Sequence, residues 1–371
     1  MNNRVLVITH FFENHGGGIE IVAAHLCREL VNYGFEVRWA ASWEPGINEI
    51  PGVVRLPMNG CDFTEGLFGV PFPFWGPRSL LRLRREISQC DALLIHDAAY
   101  INHQFAIALA RRYGKRIALV QHVGVVPFKN CVFRCLMNAL DTLCIRPAFK
   151  RVDQVAFVSD TVKNAYANGV FVNSPRVVQN GLDTKLFCFQ PQLRAHERSA
   201  ANLEPQDKVC LFVGRFVEKK GLQHIRRLAA RHPEVRWVLI GRGPIQPETW
   251  NLPNVTAAGF LPQEQIIRFY HLADTLVLPS VGEGFPLVIQ EALACGLPCL
   301  VSRENKFALS DAREMLHGAP DLEHGLDLEF SKLLSKLPVS DIERERISNL
   351  ALNTWSWHKT GQCYADILRG R

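Results

Sequence analysis

Short apolar runs alternating with longer amphipathic stretches constrain this chain more than any other feature. Strand-like runs occur at Val5–Ile8, Glu36–Ala40, Ala92–Ile95, Ile117–Val120 and Val155–Val158. Between them lie stretches of helical period such as Ile19–Tyr33, closed by Gly34 where a helix C-terminus favours glycine. The segment Pro191–Gln206 loses apolar periodicity and is rich in charge and in Pro, Gln, Asn and Ala. Alternation then resumes at Val209–Val213, Arg236–Ile240, Thr275–Leu278 and Pro298–Val301. Two successive βαβα blocks predict an α/β chain with two doubly wound parallel sheets, because parallel neighbours require crossover helices. The boundary is expected near 185–205, leaving one domain over 1–185 and a second over 206–350. The cleft between the sheets, at the carboxyl ends of their strands, is the expected ligand site.

Composition bounds the partners. Of 371 residues, 47% are hydrophobic and 21% charged, the balance of a soluble globular protein with two cores. No run approaches the roughly 18 apolar residues of a membrane-spanning helix. The opening residues read as a first strand and not as a signal peptide. The 11 cysteines are dispersed with no C-x-x-C pair, which suggests reduced thiols and a cytoplasmic location. Cys131/Cys135 and Cys295/Cys299 are expected to be core packing. The net charge of +6 favours anionic partners only weakly, and no nucleic-acid partner is expected. Basic residues gather at Arg78, Arg82, Arg84 and Arg85 and at Arg146, Lys150 and Arg151. They read either as solvated helix faces or as a surface drawn to an anionic membrane or a phosphorylated lipid, at the inner face of the cytoplasmic membrane. The segment Phe63–Arg85, with Phe72, Phe74 and Trp75, is open to the same two readings.

Two constellations carry chemistry. The first is Glu283-Gly284-Phe285-Pro286-Leu287-Val288-Ile289-Gln290-Glu291, after the strand Thr275–Leu278 and a short loop. Pro286 suits a first helical turn, and Gly296 and Pro298 suit its end. A helix N-terminus offers unsatisfied N–H groups to a diphosphate. Two carboxylates eight residues apart lie at most about 12 Å apart along a helix, the reach from the sugar to the ribose of a sugar nucleotide. The second is Gly214-Arg215-Phe216-Val217-Glu218-Lys219-Lys220, at the end of Val209–Val213. Arg215 can fork two phosphate oxygens and Lys220 can add a point charge, neutralising a diphosphate as it leaves. Gly241, which ends the next strand, is expected at a tight turn near the nucleotide.

These motifs resemble family 4 of the retaining glycosyltransferases, which have the GT-B fold of two facing Rossmann-like domains. The E-x7-E at Glu283 and Glu291 is similar to that family's hallmark, and Arg215 with Lys220 to its diphosphate-binding pair. Further likenesses are Gly17-Gly18-Ile19-Glu20, Gln121-His122-Val123-Gly124 and Asn180-Gly181-Leu182-Asp183. Trp355-Ser356-Trp357 resembles the start of the closing helix, here 351–371, that returns to the first domain. The resemblance implies transfer of a hexose-type sugar from a UDP- or GDP-sugar to an acceptor hydroxyl, in a glycan or lipid-linked pathway. It implies that Glu283 contacts the transferred sugar and Glu291 the ribose. Gly17 and Gly18 would line the diphosphate, His122 would stand beside the reacting sugar, and Gly214, Gly241, Gly284, Phe285, Pro286 and Leu287 complete the donor set. One departure is plain: where the family carries a Gly-Gly-x-x-Glu loop, this chain reads Ser302-Arg303-Glu304-Asn305-Lys306-Phe307-Ala308.

No D-x-D cluster follows a strand, and Asp97 and Asp183 stand alone, so a metal-independent reaction is expected. No cofactor is expected either, the sugar nucleotide being a substrate. A dinucleotide oxidoreductase would need a glycine where Ile21 stands. A GT-B epimerase acting on sugar nucleotides and a non-catalytic nucleotide-sugar binder remain as alternatives. Turnover of donor without acceptor marks the epimerase, and tolerance of the loss of Glu283 marks the binder.

Overall fold

The computed structural model describes residues 3–46, 49–62, 72–124 and 131–371, side chains of 131–133 excepted. Residues 63–71 of the aromatic–basic segment therefore lie outside the described residues, as does the Cys131 side chain. The chain forms two units, residues 1–181 with 357–371, and residues 182–356.

In the first unit the strands are β1 (Arg4–Ile8), β2 (Glu36–Ser42), β3 (Val53–Met58), β4 (Gly60–Cys61), β5 (Phe74–Trp75), β6 (Ala92–His96), β7 (Arg116–Gln121), β8 (Gln154–Phe157) and β9 (Arg176–Val177). Seven of them make one parallel sheet in the order β3-β2-β1-β6-β7-β8-β9, while β4 and β5 form an antiparallel pair. The crossovers are α1 (Gly18–Asn32), α2 (Pro77–Gln89), α3 (Ile101–Arg112), α4 (Cys131–Leu140) continuing through a π turn into α5 (Arg146–Phe149), and α6 (Asp160–Ala165). The unit's last helix, Trp357–Arg369, packs on α1. Trp357 stacks on His25 at 4.5 Å, Thr360 donates to the Gln179 carbonyl at 3.0 Å, and Arg116 donates to the Ile367 carbonyl at 2.7 Å.

The second unit holds β10 (Val209–Val213), β11 (Arg236–Ile240), β12 (Val255–Gly259), β13 (Thr275–Leu278), β14 (Cys299–Ser302) and β15 (Leu316–Ala319), parallel in the order β12-β11-β10-β13-β14-β15. Its helices are α7 (Pro191–Ala200), α8 (Leu222–Arg231), α9 (Gln263–Leu272), α10 (Leu287–Ala294), α11 (Arg303–Ala308), α12 (Gly325–Leu334) and α13 (Asp341–Thr354). In each sheet the chain reverses its direction of travel beside the first strand, between β1 and β6 and between β10 and β13. The loops leaving the two strands at such a switch point lie side by side, and ligands bind there. Among the described residues no helix is long and apolar enough to cross a membrane.

The strands that sequence reading missed include all four sheet edges, β3, β9, β12 and β15. Edge strands are half-exposed, so they lack a continuous apolar run, and β3 even tolerates Pro57. The Pro191–Gln206 stretch, expected to be aperiodic, contains α7, whose buried face is Arg194 and Arg198. The buried period was present but written in arginine. The 302–308 stretch, expected as a loop, forms α11, capped by the Ser302 hydroxyl on the Asn305 amide. Cys295 and Cys299 are buried as expected, but Cys135 faces solvent on α4, which corrects its assignment to the core.

The arginines of α7 converge on one carboxylate. Asp274 accepts from Arg194 at 2.6 Å, from Arg198 at 3.1 Å and from the Val209 amide at 2.9 Å. Arg344 of α13, fully buried, stands 3.5 Å away and donates to the Ala273 carbonyl. Removing one partner of a buried charge set leaves the others uncompensated. Asp274→Asn is expected to destabilise the protein by about 3–5 kcal/mol in urea denaturation, while Arg346→Ala, at an exposed pair on α13, leaves the midpoint unchanged. Equal midpoints for the two variants would mean the cluster does not hold the unit together.

Candidate active site

The loops after β10 and β13 are pressed together. Gly221 has φ +78°, and a Cβ there would lie 2.4 Å from the Pro279 carbonyl oxygen. The Val281 amide donates to the Lys219 carbonyl at 2.9 Å. This approach lets Lys220 cross the switch point, with its Nζ 2.9 Å from Glu283 Oε1. Burial alone would raise the Glu283 carboxyl, but Lys220, Lys219 and Arg215 outweigh it and hold the group below its ordinary value. Lys219 is pushed down by burial against the pull of Glu283. Arg215 is exposed at the same loop.

The neighbouring glycines keep this rim thin. The Lys220 stem passes 3.7 Å from where a Gly214 Cβ would stand, and a Cβ on Gly241 would meet the Gly214 carbonyl oxygen at 1.9 Å. The Gly214 amide donates to the Ile240 carbonyl and the Phe216 amide to the Arg242 carbonyl, zipping the two loops. Only a residue without a side chain fits at Gly241.

Glu283 and Glu291 differ in setting. Helix α10 begins at Leu287, with Pro286 at its N-cap, so Glu283 stands on the loop and only Glu291 is helical. The helical offset expected between them therefore does not apply. Glu291 is buried and accepts from Gln263 at 2.7 Å and from the Tyr270 hydroxyl at 2.7 Å. Burial raises its carboxyl against these two bonds. Gln263 and Tyr270 escaped sequence reading, although their spacing of seven residues puts both on one face of α9. Gly284 is buried, and Phe285 packs edge-on against Trp355 at 6.2 Å between centroids.

Gly17, Gly18 and His122 belong to the first unit, where a buried polar cluster lies at the switch point. Gly17 is the N-cap of α1, and a Cβ there would stand 2.1 Å from Glu20 Oε2. Glu20 is paired with His10 at 2.8 Å, and His10 stacks on Tyr100 at 4.5 Å. Burial alone would lower His10, but the Glu20 carboxylate reverses this and holds the ring above its ordinary value. Asp97 has φ +61° and accepts from the His122 amide at 2.7 Å. Burial pushes its carboxyl up to about 6. Nδ1 of His96 and Nε2 of His122 are 2.9 Å apart, so one ring donates and the other accepts. Burial pushes His122 down to about 3, His103 to about 4 and His96 well below its ordinary value. His122 is thus a neutral ring at neutral pH. Among the described residues no three His, Cys, Asp or Glu side chains are grouped to hold a metal ion.

The chain has relatives among known proteins. Residues 16–186 match the model of glycosyltransferase family 4, and residues 194–310 that of glycosyl transferases group 1. A D-inositol 3-phosphate glycosyltransferase of Mycolicibacterium gilvum (strain PYR-GCK) is 34% identical over 339 residues, covering 77% of this chain and 70% of that protein. The chain belongs to glycosyltransferase family 4. A shorter match, 37% identical over 139 residues to the D-inositol 3-phosphate glycosyltransferase of Mycobacterium sp. (strain KMS), covers 34% of this chain and 31% of that protein. The chain thus spans under a third of that relative. Two solved structures share the GT-B fold over nearly the whole chain. Sucrose-phosphate synthase of Thermosynechococcus elongatus has a TM-score of 0.77 at 18% identity, covering 99% of this chain and 98% of that one. Anabaena HepE in complex with UDP has a TM-score of 0.75 at 14% identity, covering 100% of both.

The neutral histidines give this family member a testable pH dependence. Free histidine titrates near 6.5, so as pH falls below about 6.5 the unfolded chain takes up protons that His96, His103 and His122 refuse. Stability contributed by these rings is lost as pH falls through that window. Asp97, protonating in the folded state near 6, offsets part of the loss. His10 has the opposite sign, since its contribution is complete below about 6.5 and fades as pH rises through its raised folded value. His122→Asn is expected to flatten the fall in stability between about pH 6 and 4 by up to about 1.4 kcal/mol per pH unit, read from urea denaturation across pH. An unchanged slope would mean the ring is not held neutral.

Proposed function

We propose that the chain is a retaining, metal-independent glycosyltransferase that moves a hexose-type sugar from a UDP- or GDP-sugar to an acceptor hydroxyl. The observation that carries this reading is the charge arrangement at the β10/β13 switch point, where Lys220, Lys219 and Arg215 surround the ionised Glu283. A diphosphate entering there meets a guanidinium that can fork its oxygens and an ammonium that can be shared between phosphate and Glu283. As the sugar C1–O bond lengthens, negative charge grows on the leaving diphosphate and positive charge on the sugar ring. The cations stabilise the first and Glu283 the second, and groups already oriented need little reorganisation. Glu291, fixed by Tyr270 and Gln263, retains lone pairs for the ribose hydroxyls. UDP in the HepE structure supports a nucleotide-linked donor.

The acceptor is proposed to be a glycan or a lipid-linked hydroxyl, met at the cytoplasmic face of a membrane. Support comes from the first unit. Helix α2 exposes Arg78, Arg82, Arg84 and Arg85 beside Leu81, and α4 with its π turn exposes Leu136 and Leu143. Exposed arginines interleaved with leucines suit an anionic lipid surface.

A thermal-shift panel of UDP-, GDP- and ADP-hexoses tests the donor class, since a true donor at 100 times its Kd stabilises by about 2.7 kcal/mol. No shift with any UDP- or GDP-sugar would end this reading. Lys220→Ala and Arg215→Ala are each expected to lose on the order of 2–4 kcal/mol of transition-state stabilisation. Glu283→Gln should lower mainly turnover and Glu291→Gln mainly donor affinity, so the reverse split in steady-state kinetics would reassign the two carboxylates. Activity is expected to survive exhaustive EDTA treatment, and a loss restored by added divalent ion would overturn metal independence.

A further inference from the structure

The segment that departs from the family pattern, 302–308, braces the loop that carries Glu283. Both carboxylate oxygens of Glu304 face the Gly282 amide, which donates to them at 3.1 and 3.0 Å. One helical position on, the buried Asn305 donates from its amide nitrogen to the Ser280 hydroxyl at 2.9 Å. On the opposite side the same loop is held by the Val281 amide on the Lys219 carbonyl. Gly282 itself has φ +69°, a left-handed turn that throws the chain from this brace directly into Glu283. The loop is therefore clamped from two directions immediately before its carboxylate.

The placement of Glu304 is electrostatically demanding. It is half-buried, burial pushes its carboxyl up, and the nearby charge of Glu283 pushes the same way. The Gly282 N–H and Lys219 oppose this. A second carboxylate so close to Glu283 carries a repulsion that a neutral side chain would avoid. What it supplies is a strong acceptor for one amide, since hydrogen bonds to an ionised acceptor are roughly twice as strong as neutral ones.

We propose that Glu304 is a positioning residue: its carboxylate holds the Gly282 amide and thereby fixes Glu283 against Lys220 in the geometry used for transfer. The inference rests on the role given to Glu283 above. It concerns a residue outside the family motif, on the short helix α11 that stands where a glycine loop is usual. A displacement of about 1 Å at a reacting group can cost about 100-fold in rate, so loosening this clamp should appear in turnover. Donor affinity, carried mainly by Arg215, Lys220 and Glu291, should change little.

Two measurements test it. The first needs no donor: amide-resolved hydrogen exchange at Gly282 in the full-length chain. Exchange should accelerate most in Glu304→Ala and less in Glu304→Gln, whose neutral side-chain oxygen still accepts but more weakly. Equal protection in wild type and Glu304→Ala would overturn the contact. The second follows nucleoside diphosphate release from UDP-glucose and GDP-mannose. Glu304→Ala should lower turnover by about 10- to 100-fold with a near-constant KM for donor, and Glu304→Gln should recover most of it. In a Glu283→Gln background, adding Glu304→Ala should cost less than about threefold, because residues acting through one another are not additive. Full additivity, or a loss confined to KM, would overturn the positioning role. Should Glu283→Gln alone leave turnover intact, the fault lies with the reading of Glu283. Should Glu283→Gln fail while Glu304→Ala is normal, the fault lies with this inference alone.

Discussion

Gly221 and the Pro279 carbonyl sit so close that no side chain can stand between them. That contact joins the loop after β10 to the loop after β13, and the site of the second unit follows from it. Lys220 immediately precedes the contact on one strand's loop, and Glu283 follows four residues after Pro279 on the other. With the backbones in contact, a lysine stem is long enough to bring Nζ to 2.9 Å from the carboxylate. The Gly241–Gly214 approach repeats the device one strand over, keeping the floor thin beside the same charges. Glycine here is a spacing requirement: each missing Cβ is the room that lets charged side chains meet.

Both units place their buried charge where the strand order reverses, but they balance it differently. In the second unit three cations, Lys219, Lys220 and Arg215, act on Glu283, and Arg215 is the exposed one. In the first unit the cluster carries no excess positive charge, since the Asp97 carboxyl, pushed up to about 6, is still ionised at neutral pH. His10 and Glu20 neutralise each other; burial keeps His122 uncharged against the pull of Glu20, and burial with neighbouring histidines keeps His96 and His103 uncharged. A cluster without excess positive charge offers hydrogen bonds, and a set with such an excess favours an anion.

The central strands were legible in the sequence because strands covered on both faces must be apolar throughout, as Val209–Val213 is. The edges β3, β9, β12 and β15 were not, because half-exposed residues relax the pattern. Helix α7 was hidden for a different reason: its buried face is arginine, and only the three-dimensional position of Asp274 reveals why arginine can be buried there. At the site, the residue types and the order of the two constellations could be read directly. The Lys220–Glu283 pairing could not, since it depends on the lateral order of β10 and β13 and not on sequence distance. Tyr270 and Gln263 were invisible for the same reason, being defined only by what they hold.

The central claim is that the charged switch point of the second unit receives the donor diphosphate. A crystal structure of the protein with UDP tests it most directly. The account predicts diphosphate oxygens at about 3 Å from the Lys220 ammonium and the Arg215 guanidinium, with the ribose hydroxyls on Glu291 and the Tyr270–Glu291 bond intact. UDP bound elsewhere, with Lys220 still paired only to Glu283, would contradict it.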